Sequence, residues 1–183
     1  MIYRFLAILC ALAAPATLAE GQGAHPSRAE LEAVERGIDQ KLQRFAPENP
    51  FVLLGLTRGV YLEGYGAVFT VEMNLVQAPG ITPFRPSFSR EEIARIREAK
   101  LQRLPQLRAL MRDMLLAGSA SLDRVGLDEH IVIAVSVFHH NWEDKAGLPS
   151  QVVMLAKRKA LLDVQLNRAP AATLETALRV REY

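Results

Sequence analysis

The chain has 183 residues, half of them apolar, with 22 basic and 20 acidic side chains. That balance leaves no whole-molecule field to draw in nucleic acid or an anionic membrane, and the apolar share excludes disorder as the default. A single cysteine, Cys10, excludes a disulfide framework.

Met1 to Arg4 supplies one positive charge, Phe5 to Ala14 is a short apolar run, and Pro15 to Ala19 ends in small residues. This is the pattern of a secretory signal peptide over residues 1–19, with an apolar core shorter than a bilayer span. The expectation is a periplasmic or secreted chain, cleaved after Ala19; Ala16 and Ala24 are also chemically suitable. Cleavage after Ala19 removes Arg4 and Cys10, leaving 21 basic and 20 acidic residues and no thiol. Lipid attachment at Cys10 is disfavoured by Leu9, which stands where such a site carries a small residue. No second apolar stretch approaches membrane-spanning length, so the mature chain is expected to be soluble, without a transmembrane segment.

Residues 20–26 read as a mobile polar leader and 27–183 as one α+β domain. Ser27 and Glu30 form a capping box ahead of Leu31, Val34, Ile38, Leu42 and Phe45, whose spacing predicts a helix ending near Ala46. Two strands follow, Val52–Glu63 and Gly66–Gln77, joined near Gly64-Tyr65. Gly55 and Gly59 weaken the first and mark a bulge or a close approach to the backbone. In the second, Ala67, Phe69, Val71, Met73 and Leu75 alternate with wetter residues and define its core face. After a proline-containing connection, Ser89 and Glu92 repeat the capping box. A long helix carries Ile93, Ile96, Leu101, Leu104, Leu107, Met111, Met114 and Leu115. Pro105 predicts a kink, or a division into two helices, and Gly118 a stop.

His130 to Phe138 is a β-branched run suited to a central buried strand. Beyond the loop His139–Pro149, Gln151–Ala156 reads as a further strand and Lys157–Arg168 as a short helix. One continuous helix from Ser150 is the rival reading. Leu178 and Val180 alternate with Arg179 and Arg181, suiting a terminal edge strand. Hairpins dominate this order. It predicts an antiparallel sheet of about four to five strands, with the long kinked helix and one or two further helices packed on one face.

Three clusters have chemical potential. His139, His140, Glu143 and Asp144 gather imidazole and carboxylate groups that suit a Zn²⁺ ion or acid–base work. Adjacent histidines on an extended chain point to opposite sides, however, and no spaced ligand set supports them, so a polar loop lidded by Trp142 is the simpler reading. Gly64, Tyr65 and Gly66, with Trp142, offer a ligand surface; the same glycines serve an ordinary hairpin turn. Arg95 and Arg103 on the long helix, with Lys157, Arg158 and Lys159, form basic patches for an acidic partner, or a solvated face with ion pairs. His130 opens the buried strand as a half-exposed histidine or a pH-sensitive group. No serine sits in a nucleophile elbow.

No complete catalytic constellation emerges, no cofactor is predicted and nucleic acid is not an expected partner. The leading expectation is therefore a non-catalytic interaction or ligand-binding module of the cell envelope, with an envelope protein as partner. The alternatives are a metal-dependent or acid–base hydrolase using the His139/His140 loop, and a structural envelope component. Oligomeric state stays open.

Overall fold

The computed structural model describes residues 25–183, so residues 1–19, read as a signal peptide, and most of 20–26, read as a mobile leader, lie outside the described residues. Helix α1 runs Arg28–Arg44, with the Ser27–Glu30 capping box formed. Its apolar stripe, Leu31, Val34, Ile38 and Leu42, is buried. The segment read as one strand is divided into β1 (Val52–Leu53) and β2 (Arg58–Leu62). Both pair antiparallel with β3 (Gly66–Asn74). Gly59 meets the close approach expected of it: a Cβ there would lie 2.5 Å from the Phe69 ring.

Helix α2 spans Arg90–Ser121 and is continuous through Pro105. Gly118 does not stop it. It lies within the helix, facing α1, where a Cβ would make ordinary contact with Val34 at 3.4 Å. Strand β4 (His130–Val137), strand β5 (Gln151–Lys157) and helix α3 (Arg158–Gln165) follow, which removes the continuous-helix alternative. Helix α4 (Ala171–Ala177), which the periodicity did not reveal, leads into β6 (Arg179–Glu182) at the sheet edge.

The class is α+β, but the sheet has six strands and is mixed. The order runs β1–β3–β4–β5–β6, with β2 also on β3. β3 and β4 are parallel, Ala67 opposite Ile131 and Val71 opposite Val135. The expected all-antiparallel sheet is corrected here for a topological reason. The long helix between β3 and β4 carries the chain back along the sheet, and a strand entered after such a return runs in the original direction. All other pairings are antiparallel.

One face of the sheet makes the core. Phe69, Val71 and Met73, Ile131, Ile133 and Val135, and Val152 and Met154 pack with Leu104, Leu107, Met111, Leu115 and the α1 stripe. The opposite face carries the alternate residues of β2 to β6, and none of them belongs to that core.

Helix α1 also closes one sheet edge. Glu35 accepts from the Gly59 amide at 2.6 Å while Arg28 donates to the Gly59 carbonyl at 2.9 Å. Asp39 accepts from the Thr57 amide at 3.0 Å and from its hydroxyl at 2.6 Å. These groups on β2 and before it would otherwise need water or another strand.

Candidate functional site

The loop between β4 and β5 does gather two of its predicted groups, but around a lysine. Lys100, on α2, is fully buried. Its ammonium donates to the Phe138 carbonyl at 2.9 Å and to His139 Nδ1 at 3.3 Å, and it is paired with Glu143. An ammonium has three protons, and each has a partner here. Because His139 Nδ1 accepts, Nε2 carries the imidazole proton and donates it to the Pro149 carbonyl at 3.1 Å. The other Glu143 oxygen accepts from the His140 amide at 3.2 Å. Burial draws the Lys100 ammonium below the ordinary lysine range, and the Glu143 carboxylate opposes that shift.

This closed network accounts for its own hydrogen bonds. A cation at His139 Nδ1 would meet the Lys100 ammonium. His140 is turned elsewhere, its ring edge-on to Phe138 and stacked on Trp142. Asp144 faces Arg97 at 3.6 Å and accepts from the Ala146 amide at 2.9 Å. Among the described residues, no three His, Cys, Asp or Glu side chains are grouped as a metal ion needs. His130 opens β4, the Asp123–Glu129 carboxylates precede it and the His139 loop lies beyond its end, so the strand length separates them. Trp142 stacks on Phe88, with ring centroids 4.0 Å apart. Its buried indole N–H has no partner.

The glycine-tyrosine segment is a hairpin tip. Gly64 and Gly66 have φ values of +72° and +127°, and the Tyr65 amide donates to the Leu62 carbonyl at 3.0 Å. A Cβ on Gly66 would lie 1.9 Å from the His130 carbonyl oxygen. What needs the glycine is therefore the start of β4. Tyr65 accepts from the His130 amide at 2.8 Å through its carbonyl, and its ring stacks on the His130 imidazole.

The basic residues divide. Arg103 and Arg158 point inward, against the expectation of a partner patch. Arg103 donates to the carbonyls of Leu75 and Asn49 and lies over the Phe51 ring at 4.2 Å. Arg158 donates to the carbonyls of Ser119, Asp123 and Val125. Each guanidinium gathers carbonyls from segments far apart in the chain, which its five donors suit. Arg95, Lys157 and Lys159 are exposed. Lys157 pairs with Asp128 and Lys159 with Asp163.

The surface that sequence reasoning missed is the face of the sheet opposite the main core. Register aligns Val60 with Val68, Val68 with Val132, Val132 with Leu155 and Leu155 with Arg179. This apolar row crosses four strands and ends in a cation on the fifth. The next row is Arg58, Thr70, Ala134, Val153 and Arg181. Comparison with protein-family models, curated proteins and solved structures finds no match to this chain.

Val60 and Leu62 are 49% and 47% exposed, whereas Val132, on the central strand, is only 4% exposed. The central strand is thus the most buried part of this row. Basic residues stand at its margins. A sign of this face was present in the sequence: Val68, Val132 and Leu155 occupy the non-core parity of their strands, where polar residues are the norm beside water.

Proposed function

We propose that this chain is a non-catalytic interaction module of the cell envelope, and that it works through the face of its sheet opposite the main core. The observation that carries the reading is the Val60–Val68–Val132–Leu155 row, an apolar stripe that takes no part in the main core. A contiguous apolar surface left outside the core is the ordinary mark of a docking site. The saturated Lys100–His139–Glu143 network supports the same reading, since its groups hold one another and leave no acid or base presented to a substrate. The envelope assignment rests on the leader pattern of residues 1–19.

Site-specific photo-crosslinking in native envelope tests the reading, with the crosslinker placed at Val60 and, as a control, at Gln102 on the exposed side of α2. One discrete, reproducible protein adduct from Val60, missing from Gln102, is the expected result. Adducts of equal yield from both positions, or from neither, overturn it.

A further inference from the structure

Resting on the interaction reading, we infer that the partner element is an acidic amphipathic helix, lying across the strands on the outer face of β2 to β6. Span and charge lead to it. The outer face is built largely from aliphatic side chains: Val60 and Leu62 are exposed, Val153 and Leu155 half-buried, and Val132 and Ala134 on the central strand buried. A membrane surface calls for protruding aromatic or leucine side chains on an amphipathic element. Five strands at a spacing of about 4.8 Å extend about 19 Å, the length of a helix of about 13 residues.

Charge selects the sign of the partner. The outward positions of these strands carry Arg58, Arg179 and Arg181, with Lys157 paired to Asp128, against one carboxylate, Glu72. Among the described residues, Arg58, Arg179 and Arg181 have no carboxylate within ion-pair distance. A helix with a leucine stripe flanked by glutamates covers the apolar row and meets both margins. A second copy of this chain does not. Two such faces related by a two-fold axis bring Arg58 onto Arg58, or onto Arg179 and Arg181, so positive margins oppose each other in either orientation.

The test uses two fluorescent 14-residue peptides of identical Leu, Glu and Ala composition. One places Leu at i, i+3, i+4, i+7 and onward; the other is scrambled. Binding is followed by anisotropy, and amide shifts of the protein locate the site. The expected result is binding of the striped peptide at least about tenfold tighter than the scrambled one, with shifts at Val60, Val68, Val132 and Leu155. Leu155→Glu and the double variant Arg179→Glu/Arg181→Glu should each weaken it about tenfold or more. Unchanged circular dichroism and melting of the doubly charge-reversed protein separates lost docking from lost folding.

Equal affinity for both peptides, shifts on other elements, or no binding overturns the inference. So does binding confined to phosphatidylglycerol vesicles. A dimer that Val60→Glu dissolves also overturns it, in favour of a second copy. A Val60 crosslink to a protein without an acidic helix would keep the interaction reading while this inference fails.

Discussion

Lys100 shows how one residue can anchor a loop. Its ammonium is held by Phe138, His139 and Glu143, all from the connection after β4, while its stem leaves α2. Lys100→Met would leave Glu143 buried without its cation, a loss of about 3–5 kcal/mol. Replacing both partners, as Lys100→Met with Glu143→Leu, should restore part of that stability, because no buried charge then remains, while the Phe138 carbonyl, His139 Nδ1 and His140 amide lose their partners. Urea denaturation of the two variants checks the order. Tyr61 carries a second prediction. Its hydroxyl donates to Glu129 at 2.8 Å, and burial, then this carboxylate, raise its pKa above the ordinary value. In the unfolded chain the phenol loses its proton near pH 10, about its usual value. Over the window between that pH and the raised native value, the folded state holds more protons. Its contribution to stability is complete below the window and lost as the pH rises through it. Urea midpoints from pH 9 to 11 should therefore fall more steeply for the wild type than for Tyr61→Phe.

Among the elements, α2 decides the most. It is 32 residues long, starts at a formed capping box and carries Pro105 on its exposed side. Proline removes one backbone donor and crowds the preceding turn. Pro105→Ala should raise stability by about 1–3 kcal/mol, toward the full helix-propensity difference, as read by thermal melting. The capping boxes, α1, the central β4 and the terminal strand were legible in the sequence because each depends on local spacing. Lys100 was nearly so. It falls at the core spacing of Ile93, Ile96, Leu104, Leu107 and Met111, where a charge must find a buried partner. That the partner would be Glu143 was not legible, since 43 residues and a sheet register separate them. Arg103 and Arg158 were read as surface cations for the same reason: the carbonyls they serve come together only on folding.

For the whole molecule, the two sheet edges are managed differently. α1 seals β2 through Glu35, Arg28 and Asp39. β6 is an exposed edge, short and bearing Arg179 and Arg181. Charges on a short edge strand oppose pairing with another chain. Replacing both with valine would turn the strand into an apolar ribbon beside Val180. Concentration-dependent oligomers in light scattering are the expected outcome, and a monodisperse double variant would contradict this role. The outward residues of β2 to β6 take no part in the main core, and of these Arg58, Val60, Leu62, Arg179 and Arg181 are exposed.

The sequence by itself determined the α+β class, the position of most elements and the leader pattern, because apolar period, capping residues and β-branched runs act over a few neighbouring positions. Tertiary structure alone decided the parallel β3–β4 pair, the burial of Lys100, Arg103 and Arg158, and the row from Val60 to Leu155. Each of these depends on which strand lies beside which. Strand register brings residues far apart in the chain to within one side-chain width, and no local pattern encodes it.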